Sequence, residues 1–224
     1  MRNIKILEMI NEGRIEELKE ILRDEIYTDL LSTKPPGAKN RYSAMKKYFT
    51  YIKTVREALR KPCIIEYEGE AYTSFCNAHS IALTKEPCGS IELYTDVDRY
   101  PDVTRLIHYK GLERKIDFSK VFADAKVKGY RLKKSELDSN KYRYLMHYEG
   151  AYYKIGLLDA TFSIIDNGES ASVYHEPNKV SPITIKNSIG VCTIMPMNIK
   201  DEDILEDENI VIIEIKKNHS NEKW

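Results

Sequence analysis

"CIIEYEGEAYTSFCNAHSIALTKE", Cys63–Glu86, is where the chain changes period. Before it, apolar residues recur every three or four positions; within it they alternate every second one. Glu68-Gly69 interrupts the alternation as a turn dipeptide flanked by β-branched and aromatic residues. The stretch therefore reads as two consecutive strands, "CIIEYEG" and "EAYTSFCNAHSIALTKE", joined by a tight turn. On that reading Cys76 and His79 share one strand three residues apart and point to opposite faces, which argues against a Cys–His nucleophile pair.

Working upstream, residues 3–31 read as helical, with Ile15, Leu18, Ile21, Leu22, Ile26 and Leu30 at helical spacing and a break at Asn11-Glu12-Gly13. The apolar stripe of this hairpin must pack either on the main body or on a partner. "STKPPGAKN", Ser32–Asn40, reads as a linker. Arg41–Leu59 gives another amphipathic helix, its apolar face made of Tyr42, Met45, Phe49, Ile52, Val55 and Leu59. The remainder carries Arg41, Lys46, Lys47, Lys53 and Arg56 against the single acid Glu57, either a solvated face or a contact for a polyanion.

Working downstream, Asp117–Val127 reads as a helix with Asp117 as N-cap and Phe118, Val121, Phe122 and Ala125 as its buried stripe. The surrounding run Arg105–Lys134 holds ten Lys/Arg against three Asp/Glu, the most basic part of the chain. "YRYLMHYEG" and "AYYKIG" repeat the hairpin signature, with Glu149-Gly150 between them. "LLDATFSIID" reads as a short helix or extended turn, and "SASVYHE", "PITIKN" and "GVCTIMPM" as three short strands. Helices alternate with antiparallel hairpins and no βαβ unit is visible, so the expected class is α+β. The expected units are 1–38 (helical appendage and linker), 39–112, 113–199 and a tail of 200–224.

Composition narrows the chemistry. Of 224 residues, 42% are hydrophobic and 31% charged, as in a folded domain. Lys+Arg and Asp+Glu are 35 each, so only local charge selects a partner. Tyr, at 16 residues, suits half-buried sheet faces and recognition surfaces alike. The four cysteines form no metal-ligand spacing, and most lie in apolar strand contexts. The N-terminus is too charged for a signal peptide, and no run reaches the roughly 18 apolar residues of a membrane span. These features point to a reducing, cytoplasmic setting. Signatures of P-loops, dinucleotide sites, zincins and serine hydrolases are missing. The five histidines are scattered, and Asp96 and Asp98 fall in turn sequence. No catalytic centre and no cofactor are expected.

Three separated segments, in order, resemble those of the bacterial β sliding clamps, the DNA polymerase III β subunit family. "TSFCNAHSIAL", Thr73–Leu83, is similar to the family's "ATDGHRLAL" strand. "DRYPDVTRLI", Asp98–Ile107, is similar to its "FPDYRRVLP" crossover, and "VSPITIKNSIGVCTIMPMNI" ends like its "YVVMPMRL" terminus. "YYKIGLLDATFSII" resembles the family's "IGFNVSYLLDVL". The resemblance implies a DNA-clamp-like fold and a non-catalytic processivity factor. It implies one groove for short peptides of polymerases and other replication or repair proteins. Carried over by matched position, Cys76, Ala78, His79 and Ile81 form one wall, and Pro101, Arg105 and Leu106 a second. Val180, Pro182, Ile194, Met195, Pro196 and Met197 close it. The resemblance also implies that Lys46, Lys47, Lys53, Arg56, Lys120 and Lys126 face the phosphates of double-stranded DNA without reading sequence, and that subunits assemble as a homo-oligomer.

The chain departs from the family in three ways. The first domain and the second half of the middle one have no counterpart, Ala78 and Ser80 replace the Gly and Arg beside the histidine, and 25 residues follow Ile199. Six acids in Asp201–Glu208 precede the apolar run Ile210–Ile215, which either closes over the groove or adds an edge strand. An alternative keeps the fold without the groove: an interaction module of a mobile element that grips a partner through its N-terminal hairpin. A hydrolase or nuclease, the third reading, requires clustered acids and a metal.

Overall fold

The computed structural model describes residues 2–31, 37–51, 56–132, 143–199, 202, 204 and 209–215. Two helices open the chain, α1 (Arg2–Asn11) and α2 (Ile15–Leu31), with the break where Asn11-Glu12-Gly13 predicts it. Helix α3 (Ala38–Tyr51) begins three residues before Arg41, so the end of the expected linker is already helical. Strands β1 (Cys63–Tyr67), β2 (Glu70–Cys76) and β3 (Ser80–Thr84) follow, then β4 (Leu112–Ile116) and α4 (Phe118–Val127). The chain continues through β5 (Tyr144–Tyr148), β6 (Ala151–Lys154), α5 (Ile155–Phe162), β7 (Ala171–His175), β8 (Ile183–Lys186), β9 (Gly190–Ile194) and β10 (Val211–Glu214). The class is α+β, as the alternation of helices and hairpins predicts.

The strands form two sheets, a seven-stranded one ordered β1-β2-β3-β9-β8-β7-β4 and a three-stranded one ordered β10-β5-β6. Every pairing in the larger sheet is antiparallel; β10 lies parallel to β5. The larger sheet draws strands from both central sequence units, joining β3 to β9 with Ala82 opposite Cys192. The boundary expected at residues 112 and 113 falls on the first residue pair of β4, a strand the charge-rich reading of Arg105–Lys134 overlooks.

Both hairpin turns are built alike. Glu68 (φ 53°) and Gly69 (φ 78°) connect β1 to β2, and Glu149 (φ 48°) and Gly150 (φ 89°) connect β5 to β6. Two consecutive positive φ values make a two-residue turn whose twist matches the strands. Glycine takes the second position without strain.

Helix α5 is the hub. Its sequence, Ile-Gly-Leu-Leu-Asp-Ala-Thr-Phe, is apolar on nearly every side, as a helix buried all round must be. It packs against β3 and β9 of one sheet and β5 and β6 of the other, and against α3 and α4. Phe118, Val121, Phe122 and Ala125 of α4 are buried and Asp117 Oδ1 accepts from Ser119 N–H, as the N-cap reading requires. Tyr42, Met45 and Tyr48 of α3 join the same core. The opposite face of β1–β3 carries a second core, where Tyr100, Val103 and Ile107 cover Cys63, Cys76, Ile81 and Leu83.

One charge expectation changes, and one of the two alternatives for the tail is met. Arg41 lies inside the protein at 1% exposure, not on a basic surface. Its guanidinium binds both oxygens of Glu86 (2.8 and 2.5 Å) and the carbonyl of Asp166 (2.9 Å), which compensates its burial. The tail, at residues 211–214, adds an edge strand at the β5 side of the small sheet. All four cysteines are buried and free, and among the described residues no helix is long and apolar enough to cross a membrane.

Candidate peptide groove

The run expected as one strand through Cys76 and His79 is broken at Asn77. The Asn77 Oδ1 accepts from the backbone N–H groups of His79 (2.7 Å) and Ser80 (2.8 Å), while its Nδ2 donates to Ser80 Oγ (3.0 Å). This side-chain turn throws Ala78 and His79 out to the surface and restarts the sheet at Ser80. Below it, Asn77 Nδ2 also reaches Tyr48 Oη (3.1 Å), and Thr161 Oγ1 reaches Ser80 Oγ (2.9 Å), so α3 and α5 hold the turn from within.

The same construction recurs at Asn178. Its Oδ1 accepts from Val180 N–H (2.9 Å) and Ser181 N–H (2.7 Å), and its Nδ2 donates to Ser181 Oγ (2.6 Å). Val180 is left 76% exposed and Pro182 half-buried. Tyr153 of β6 donates to the Ser181 carbonyl (2.7 Å), tying this turn to the small sheet. Asn77, Ser80, Asn178, Ser181, Tyr48, Tyr153 and Thr161 are the supporting residues that sequence reading missed. The legible signal is the repeated Asn-x-x-Ser immediately at two of the matched segments.

Met-Pro-Met bridges the two sheets. Met195 N–H donates to the His79 carbonyl (2.9 Å) and Met197 N–H to the Tyr152 carbonyl on β6 (2.7 Å). Pro196, with no N–H, sits between the two donors, at the residue where the strand leaves one sheet for the other. Met195, Pro196 and Met197 are all half-buried. Ile183 pairs with Ile194, so Pro182 and Met195 stand at one end of the β8–β9 ladder. His79, Pro182 and Met195–Met197 thus come together around the N-terminal end of β3.

The sheet divides the other expected wall residues. Cys76 and Ile81 are buried beneath Tyr100, Val103 and Ile107, while Ile194 is fully buried toward α5. These three support the surface from below, with Ile81 and Ile194 on opposite faces. Pro101 is half-buried and Leu106 exposed, on the crossover side. The Arg105 guanidinium is exposed and pairs with Asp102 (2.7 Å). Burial pushes the Cys76 thiol up to about 12, so it stays protonated and inert as a nucleophile.

Of the cations expected to face DNA, Lys46 is held by Asp24 of α2 (2.5 Å) and lies over the Tyr42 ring. Lys47, Arg56 and Lys126 are exposed; Lys120, also exposed, stands 3.6 Å from Asp117. Lys53 lies outside the described residues.

A second polar cluster adjoins the Ser181 turn. The side chain of Glu149 is only 4% exposed, 3.3 Å from Arg114 Nε and 3.5 Å from His175 Nδ1. His175 is enclosed by the rings of Tyr148 and Tyr153, and its buried Nε2 has no hydrogen-bond partner. Desolvation holds the imidazole pKa below the usual histidine range. Among the described residues no three His, Cys, Asp or Glu side chains group as a metal site requires. No family model, no curated protein and no solved structure matches the chain.

Proposed function

We propose that this chain is a non-catalytic, sliding-clamp-like protein of the cytoplasm, binding short linear peptides of replication or repair proteins at the surface around Met195–Met197. The observation that carries the reading is the backbone bond from Met195 to His79, which joins two segments 116 positions apart in sequence, each carrying a family-like motif. Ala78, His79, Val180, Pro182 and the two methionines supply an apolar, adaptable lining with a few polar groups, a composition suited to peptide anchors. Pro101, Leu106 and Arg105, on the segment whose Tyr100, Val103 and Ile107 cover the other face of β1–β3, join this groove only through the family resemblance. Lys47, Arg56, Lys120 and Lys126 remain the candidates for salt-dependent contact with double-stranded DNA.

A labelled clamp-motif peptide titrated against the protein tests this. Saturable binding is expected, weakened at least about tenfold by Met197→Ala through loss of buried apolar contact. No response at several hundred micromolar peptide overturns the reading. One observation favours the alternative interaction module: α2 presents Ile15, Leu22 and Ile26 to solvent. Binding of a partner that survives Met197→Ala and fails on removal of the N-terminal helices decides for it.

A further inference from the structure

"DNGE", Asp166–Glu169, follows α5 and holds the one Asn-Gly pair in the chain. The turn is tethered where it begins. The Arg41 guanidinium donates to the Asp166 carbonyl (2.9 Å), and Asn187 Nδ2, from the β8–β9 turn, donates to the Ile165 carbonyl (2.7 Å). Around the Asn167 amide the contacts are sorted by chemistry. Its Oδ1 accepts from Glu169 N–H (3.1 Å) and Asn187 Nδ2 (3.4 Å), so two donors polarise the carbonyl. Its Nδ2 donates to Glu169 Oε2 (3.0 Å) and Ser188 Oγ (3.1 Å). The next backbone nitrogen, that of Gly168, donates to Asp166 Oδ1 (2.9 Å). Gly168 has φ 77°, and an added Cβ would meet nothing within 4 Å, so nothing beyond the turn itself crowds that residue. A proton acceptor, a polarised carbonyl and a nucleophilic nitrogen thus stand on three consecutive residues.

We propose that Asn167 is a self-modification site, which the folded chain converts to aspartate and isoaspartate through a cyclic imide with Asp166 as the proton acceptor. The Gly168 nitrogen attacks Asn167 Cγ and passes its proton to the Asp166 carboxylate as the new N–Cγ bond forms. Charge developing on Oδ1 is held by Glu169 N–H and Asn187 Nδ2. The Cγ–Nδ2 bond then breaks, and the nitrogen leaves as ammonia with the proton that Asp166 took up. Water opens the five-membered imide at either of its two carbonyls. Atoms and electrons balance with water as the only co-reactant. Asn77 and Asn178 build side-chain turns of the same kind, but Ala78 and Lys179 follow them, and a side chain on the attacking residue hinders ring closure. Conversion sets a carboxylate beside those of Asp166 and Glu169, so like charge replaces a hydrogen bond in the turn. The reaction is independent of the peptide surface, which lies at the other end of β9.

The full chain, held folded in neutral buffer and sampled over weeks, is digested and mapped by mass spectrometry. Asn167 is expected to convert ahead of every other asparagine, giving aspartate and isoaspartate together. Asp166→Ala and, separately, Asp166→Ser are expected to slow the conversion at least about tenfold. Asp166 is exposed, so both variants keep the fold, which circular dichroism checks. In urea the tethered arrangement is lost, and native chain and variants are expected to convert at the same rate. No conversion at Asn167 in the folded protein, a folded-state rate that both Asp166 substitutions leave unchanged, or a difference between native and variant chains that persists in urea overturns the proposal.

Discussion

The two Glu-Gly hairpins share one turn and differ in everything around it. Glu68 sits at a solvent edge with its side chain 47% exposed, 3.4 Å from Lys186. Glu149, in the same backbone conformation, is buried between the two sheets with Arg114 and His175. The dipeptide therefore dictates the reversal of the chain, and the surroundings dictate what the glutamate does. At the first hairpin the carboxylate is an incidental surface charge. At the second it is the polar pin by which the small sheet holds the β4–β7 edge, beside the Tyr153–Ser181 contact that supports one side of the candidate groove.

Removing each carboxylate gives the largest contrast. Glu149→Ala removes the buried carboxylate beside the Arg114 guanidinium and the stronger of the two carboxylates that act on His175, a destabilisation of about 3 kcal/mol. Glu68→Ala removes an exposed pair and is expected to change stability by less than about 0.5 kcal/mol. Urea denaturation of the two variants measures both; equal effects break the distinction. The loss at Glu149 is also expected to weaken peptide binding, because the Ser181 turn rests on the same junction.

Next in size are the glycines, where the hairpins are expected to behave alike. An added Cβ meets nothing within 4 Å at either Gly69 or Gly150, so only the positive φ is penalised. Gly69→Ala and Gly150→Ala are each expected to destabilise by about 1 kcal/mol. Equal values locate the difference between the hairpins in the glutamates alone. Gly111→Ala is the contrasting control, because its Cβ would lie 1.8 Å from the His175 carbonyl oxygen, and β4 cannot keep its place beside β7.

What the sequence discloses follows the range of the forces. Turn dipeptides, the Asp117 cap and the apolar stripe of α4 are local and legible. Arg41 is not, because its acceptors Glu86 and Asp166 lie 45 and 125 residues away, and nothing nearby separates it from the surface lysines. The break at Asn77 hides inside an alternating run with no glycine or proline, since a side-chain turn from asparagine leaves the hydrophobic pattern intact. That break sets the register of β3. With Ser80 opposite Ile194, Ile81 faces the Tyr100 side and Ala82 the α5 side. A one-residue slip exchanges the faces, so the division of the wall residues between two cores is decided by a feature the alternation does not reveal. Met-Pro-Met reads as a strand end in the sequence, whereas its role in linking two sheets depends on Tyr152, a residue of a distant hairpin.

The smallest expected effect separates the hairpins by pH. His175 is buried and its pKa is depressed, by desolvation first, against the opposing pull of Glu149. The unfolded chain then binds a proton that the folded one resists in the window just below the ordinary histidine value of about 6.5. Stability is therefore full above that value and falls as pH drops through the window toward the folded-state pKa. Asp159, whose carboxyl is raised by burial, acts in the opposite sense on acidification, since its protonated form suits the fold. The informative quantity is accordingly the difference between native protein and His175→Gln, followed by thermal melting from about pH 7.5 to about pH 5. The native protein is expected to lose stability more steeply with falling pH than the variant, while Glu68→Ala keeps the native profile. Parallel profiles for native protein and His175→Gln would remove the histidine from the junction's energetics and leave the Glu149–Arg114 pair as the whole of what distinguishes the second hairpin from the first.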